Sequence, residues 1–374
     1  MNPEKFNELE DEMKGIIKER DDEIHGLLLA LLSRENVFLV GSPGTAKSMM
    51  IRLLNNTVDG ANYFEWLFTR YTTPDEVFGS VKLSALKQDK YERNVDGKLP
   101  TSHFAFIDEI WKANSSILNS LLTIINERLY HNNGKPMECP LETMMSASNE
   151  IPNDREELGA MWDRFLLKYR VRSIQEDRAF KDMMVMKDSP IKTSLSLDEI
   201  HDAQAEVEDI NIPDEVLEHI IQIRKELKSN GIIPSDRRYR KSTKVIKAES
   251  WLNGHSKVTA DDLLVLSHVL WDDIDHIPKV REIITEITNP YLREADELYD
   301  AVMDVWNGIE RADEKDKLAI ASEGSTKIKR AINTLKELQA RMEADGRNTD
   351  RIEDYIQKAN GIWSDRILGD IMKL

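Results

Sequence analysis

Apolar positions change period repeatedly along the first half of the chain. Residues 4–34 carry helical spacing, with Leu27, Leu28, Leu31 and Leu32 on one face. At Val37-Phe38-Leu39-Val40 the pattern becomes a short apolar run of strand type. Strand-like runs recur at 63–68, 103–107, 142–147 and 168–171, with helical patterns between them. Strands separated by helical segments imply a parallel sheet with helices on both faces, an α/β unit over residues 1–185.

Beyond residue 195 the strand signal disappears. Helical patterns follow one another to about Asp275, interrupted at Pro213, at 231–234 and at Asn253-Gly254, which predicts an all-helical unit over 186–280. A third unit, 281–374, is predicted from stripes in three- and four-residue steps. One runs through Leu292, Ala295, Tyr299, Val302, Trp306 and Ile309, a second through Ile328, Ile332, Leu335 and Met342, and a third through Ile352, Ile356, Ala359 and Trp363. Three antiparallel helices, with a turn at Asp345-Gly346, would bury them.

Composition changes this picture in three respects. A chain of 374 residues with 40% hydrophobic content exceeds one compact core, in keeping with several units. The longest apolar run, near Leu27 to Leu32, is far short of the ~20 residues of a membrane span, and the first residues are acidic rather than basic. With a single cysteine, Cys139, and no nearby metal-ligand spacing, a cytoplasmic protein is expected. A net charge of −17 argues against nucleic acid as a partner. A local exception lies between Arg237 and Lys247, where Arg237, Arg238, Arg240, Lys241, Lys244 and Lys247 occur without an acid. It reads as a solvated helix face or as a local nucleic-acid patch, the latter disfavoured by the lack of aromatic interleaving beyond Tyr239.

The densest chemistry follows the strand at 37–40. Gly41-Ser42-Pro43-Gly44-Thr45-Ala46-Lys47-Ser48 leads into a helical pattern, the context a phosphate-binding loop requires. Backbone N–H groups wrap the phosphates, Lys47 meets the β- and γ-phosphates of ATP, and the Ser48 hydroxyl serves Mg²⁺. The general pattern has glycine before the lysine. Ala46 is expected to fit there with a negative φ. A second apolar run, 103–107, ends in Asp108-Glu109, where Asp108 would hold Mg²⁺ and Glu109 would orient and deprotonate the attacking water. A third ends at Asn149. Alone, an amide before Glu150-Ile151-Pro152 reads as a turn residue; beside the other two motifs it reads as a partner of the water or γ-phosphate.

Taken with 106–113, Asn126-Glu127-Arg128, Ala147-Ser148-Asn149-Glu150 and Trp162-Asp163-Arg164-Phe165, these motifs resemble the MoxR-type AAA+ ATPases, particularly the RavA subgroup, over about residues 12–271. The resemblance implies a P-loop AAA+ αβα core with a parallel sheet, an all-α lid and, here, a C-terminal helical bundle. It implies ATP hydrolysis with Mg²⁺ at the interfaces of a homo-oligomeric ring, usually a hexamer. It also implies chaperone-like action on proteins with a von Willebrand factor A-domain partner.

By the same resemblance Arg164 matches the arginine finger; its bland alternative is a pair with Asp163. Arg237 matches the second sensor on the lid, with Arg238 as the fallback. Two insertions, 80–101 and the hairpin 128–135 with its Asn133-Gly134 turn, resemble elements that face the ring centre in that family. The C-terminal part departs from RavA, having helical seams and no β-rich insertion. A rival is a nucleotide-regulated scaffold with incidental turnover, which Glu109 argues against, since a pure switch needs no water-activating acid.

Overall fold

The computed structural model describes residues 3–152, 155–185, 190–313, 315–345, 347 and 349–371. Residue 186, where the second unit is expected to begin, and Gly346 of the expected turn lie outside them. Contacts divide the chain into two compact units, residues 1–214 with 232–277, and 215–231 with 278–374.

The first unit is built on five parallel strands: β1 (Asn36–Val40), β2 (Tyr63–Leu67), β3 (Phe104–Asp108), β4 (Thr143–Ser148) and β5 (Phe165–Arg170). Their order in the sheet is β2-β3-β4-β1-β5. β1 is flanked on both sides and wholly buried, which explains its unbroken apolar run. β5 begins three residues before the expected run, since Phe165, Leu166 and Leu167 are buried in the sheet rather than in a helix.

The helical stretch expected over 4–34 is two helices, α1 (Glu4–Ile16) and α2 (Asp21–Ser33), broken at a loop where Glu19 takes φ 54°. A non-glycine residue in the left-handed region cannot continue a helix. Helix α3 (Lys47–Asn55) leaves the phosphate-loop sequence, and α4 (Ser115–Glu127) is capped by the Asn114 side chain, which accepts from the Ile117 N–H. α5 (Leu197–Asp209) opens on a Ser196/Glu199 capping box, and α6 (Asp236–Leu252) on the Ser235 hydroxyl. Contacts of α2 with β1, β4 and β5, and of α3 with β3 and β4, bury the apolar faces of these helices on the sheet. A hairpin of Leu129–Asn132 and Lys135–Glu138 turns at Asn133-Gly134, both with positive φ, as its sequence requires.

The second unit is helical: Ile277–Thr288, α7 (Pro290–Glu310), α8 (Lys317–Ala344), α9 (Asp350–Gly361) and a π-helical segment, Ile362–Ile371. Its core joins Val302, Trp306 and Ile309 with Ile328, Ile332 and Ala359, the expected stripes. Gly324 lets α7 and α8 approach, because a Cβ there would lie 2.8 Å from the Ile309 side chain. Tyr299 stacks on Tyr355 with ring centroids 4.4 Å apart. The architecture is the expected αβα core with a parallel sheet, followed by helices. Among the described residues no helix is long and apolar enough to cross a membrane.

Candidate functional site

All five strands point their C-terminal ends to one edge, where β1, β3 and β4 bring three sequence motifs together. Between β1 and α3, residues 41–46 form an open loop. Gly41 must be glycine, since a Cβ would lie 2.2 Å from the Val171 carbonyl oxygen, and Gly44 has φ 77°. Ala46 corrects the expectation: its φ is +67°, not negative. The chain must turn left-handed there to enter α3, and alanine takes that conformation at a cost of about 1–2 kcal/mol that glycine avoids. The Thr45 hydroxyl donates to the Ser42 carbonyl at 2.8 Å, bracing the loop.

Lys47 folds back across this loop. Its amine donates to the carbonyls of Gly41 (2.7 Å) and Ser42 (2.8 Å) and to Asn149 Oδ1 (3.3 Å). Burial pushes its pKa down, against the pull of Asp108 and Glu109. The Ser48 hydroxyl donates to Asp108 Oδ2 at 3.3 Å. Burial, and then the Glu109 charge, raise the Asp108 pKa, against the Ser48 hydrogen bond and the Lys47 charge. A hydroxyl beside a carboxylate is a hard-oxygen pair that fits Mg²⁺ completed by water and phosphate oxygens.

Glu109 is buried and strained, with φ 55°, its N–H donating to the Ala147 carbonyl at 2.7 Å. Its Oε2 accepts from the Ser148 hydroxyl at 3.0 Å and lies 3.3 Å from the Lys112 amine. Ser148 and Lys112, which the sequence motifs do not mark as site residues, sit beside Asn149 and one helical turn from Glu109. Arg20, which lies outside the motifs, is buried against the loop with its Nε donating to the Thr45 carbonyl at 3.2 Å. Nothing in its local sequence marks it.

Arg164 and Arg237 do not join this group. Arg164 immediately precedes β5, whose first residue pairs with Asn36, so it lies at the opposite, N-terminal edge. A five-residue strand spans about 16 Å, too far for Arg164 to reach the phosphate loop of its own chain. Arg237 donates to Asn126 Oδ1 at the end of α4 and is close enough that its charge helps lower the Arg164 pKa, after burial. Arg164 Nη1 donates to the Ala160 carbonyl at 3.3 Å and stands 3.8 Å from Asp163. Arg238 differs from both. It is 2% exposed and bridges Asp163 (3.2 Å) and Asp272 (2.8 Å), so it holds structure rather than facing a ligand. The basic run is thereby divided, with Lys241 paired to Glu35 and Lys247 donating to the Glu208 carbonyl.

The two insertions are tied together. Asn132 exchanges hydrogen bonds with the Arg93 backbone (2.8 and 3.1 Å), and Asn133 accepts from the Tyr91 N–H (3.0 Å).

Comparison with known proteins agrees with this geometry. Residues 4–206 match the family model of the MoxR domain in the MoxR-vWA-beta-propeller ternary systems, and residues 215–284 match an AAA lid domain. Two uncharacterized proteins of Methanocaldococcus jannaschii are 37% and 34% identical, over 95% of this chain and 95% and 97% of their own. The chaperone MoxR1 of Mycobacterium tuberculosis is 27% identical over 43% of this chain and 42% of its own. A crystal structure described as an ATPase, from Cytophaga hutchinsonii, shares the fold with TM-score 0.61 at 17% identity, covering 76% of this chain and 93% of that one.

Proposed function

The chain belongs to the MoxR family of AAA+ ATPases, and from that membership we propose that it binds and hydrolyses Mg-ATP at the subunit interfaces of a hexameric ring and acts as a chaperone-like remodeller of other proteins. The observation that carries the reading is the meeting of Lys47, Ser48, Asp108, Glu109 and Asn149 at one sheet edge. In this role the loop 41–46 wraps the phosphates, and the Lys47 amine exchanges its carbonyl partners for the β- and γ-phosphates. Ser48 and Asp108 would hold Mg²⁺, which neutralises phosphate charge. Glu109 Oε1 accepts a proton from the attacking water while Asn149 orients it.

Arg164 and Arg237 act on a neighbour's nucleotide. Two guanidiniums side by side at the far edge suit the charge spread over a transferring phosphoryl group, and their own chain's nucleotide is out of reach. This reading places the second sensor in trans rather than over its own site. The family model's description supports a von Willebrand factor A-domain protein as partner. The motif resemblance supports the RavA subgroup. We assign residues 1–185 to the nucleotide-binding domain, 186–280 to the lid and 281–374 to a C-terminal helical domain.

The direct test is Glu109→Gln. It should bind ATP as the wild type does and hydrolyse it at least a hundredfold more slowly, read by equilibrium binding and phosphate release. Unchanged turnover would remove Glu109 from the role of base, and failure of the wild type to bind ATP would end the reading.

A further inference from the structure

Arg20 lies outside every motif, yet it is 4% exposed. Its Nε donates to the Thr45 carbonyl at 3.2 Å and its Nη1 to the Glu19 carbonyl. Among the described residues no carboxylate lies within ion-pair distance of it. Its charge reaches the buried Glu23 carboxylate, whose pKa burial nevertheless pushes up to about 7, so the counter-charge is incomplete, and a guanidinium taken out of water without a full one is unfavourable. Local violations of this kind persist where function keeps them.

The residue before it is equally constrained. Glu19 holds φ 54°, and its carboxylate accepts from the N–H groups of Gln175 (2.7 Å) and Glu176 (2.8 Å), in the segment that leaves β5. Residues 19 and 20 therefore strap the phosphate loop on one side to the chain beyond β5 on the other.

We propose that Arg20 is a positioning residue for the nucleotide, holding the Thr45 carbonyl so that the loop keeps its N–H groups turned to the phosphates, with the buried charge balanced by the bound nucleotide's own negative charge. This rests on the nucleotide-binding reading above. Arg20 acts through the loop, away from the groups that handle water, so it governs ATP and ADP binding alike and leaves the hydrolytic step alone. The loop braced by Thr45 and the strap held by Glu19 should tighten together when a nucleotide arrives.

The test compares Arg20→Gln, which keeps a donor without charge, with Arg20→Lys, which keeps the charge. Dissociation constants for ATP and ADP, kcat and KM are measured for both, the wild type and Lys47→Ala. Arg20→Gln should bind both nucleotides at least tenfold more weakly and raise KM accordingly, with kcat at saturation within twofold of the wild type. Arg20→Lys should recover most of the affinity. Wild-type affinity in Arg20→Gln, equal weakening in Arg20→Lys, or a fall in kcat with affinity unchanged would overturn the inference while leaving the site reading intact. If wild-type protein bound neither nucleotide, both would fall together.

Should Arg20→Gln not fold, amide exchange on the wild type decides. On adding ADP, the amides of Gln175 and Glu176 should gain protection together with those of the phosphate loop. No change at the first pair would overturn the strap.

Discussion

Ala46 and Glu109 both hold positive φ at the C-terminal edge of the sheet, one where the loop enters α3 and one where β3 ends. Such conformations survive in a folded protein only when the surroundings impose them. Ala46 offers the cleaner experiment, because glycine relieves the strain without removing a functional group. The left-handed conformation costs alanine about 1–2 kcal/mol, and the extra freedom of glycine in the unfolded chain takes back about 0.5–1 kcal/mol. Ala46→Gly should therefore be more stable by up to about 1.5 kcal/mol in urea unfolding, with nucleotide affinity retained. A loss of stability would mean that the Ala46 methyl contributes packing that outweighs the strain.

The helices α1, α2 and α6 meet at His25. Its Nδ1 lies 3.0 Å from the Glu10 carboxylate on α1 and its Nε2 2.8 Å from Glu249 on α6. Burial works to lower the His25 pKa, but Glu249 and Glu10 outweigh it and hold it well above 6.5. A histidine whose folded pKa is raised lends stability that is fully present below its ordinary pKa and is lost as pH rises through the folded value. Stability should accordingly be highest below pH 6.5 and decline as pH rises from there through the folded pKa, and His25→Gln should flatten that decline while lowering stability at pH 6. Denaturant midpoints measured across pH for the two proteins would check it; identical alkaline limbs would exclude His25 as the cause.

At the same scale, the five strands were legible because each is a run of apolar residues closed by turn signals. The break at residues 17–20 was not, since Ile17 and Ile24 keep helical phase across the charged run 18–23 and the loop is held by partners at Thr45, Gln175 and Glu176, remote in sequence.

Across the whole molecule the decisive feature is the separation of two edges of one sheet. Lys47, Asp108 and Glu109 stand at the C-terminal edge, while Arg164 stands at the N-terminal edge with Arg237 near it. If the arginines serve a neighbour, Arg164→Ala should keep ATP binding and lose most hydrolysis. Mixing it with Glu109→Gln should restore part of the activity, because a mixed ring can pair an intact Glu109 site with an intact Arg164 next door. Mixed rings, verified by tagged co-purification, that stay at the parental rate would show that Arg164 does not act in trans.

The amino-acid sequence by itself determined the number and order of the sheet strands, their alternation with helices and hence the parallel sheet, and the glycine-rich loop, Asp108-Glu109 and Asn149 motifs. These depend on local periodicity and on chemistry carried by adjacent residues. Only the tertiary structure decided which arginine of the Arg237-Arg238 pair is buried in ion pairs and which faces outward, since their neighbours Asn126, Asp163 and Asp272 come from other segments. It also decided that Ala46 is left-handed and that Ser148 and Lys112 hold Glu109. The same holds for Arg20, whose contact with Thr45 joins a loop before α2 to one after β1. Backbone sign and side-chain partners are set by where the chain is forced to pass, and a one-dimensional pattern does not carry that information.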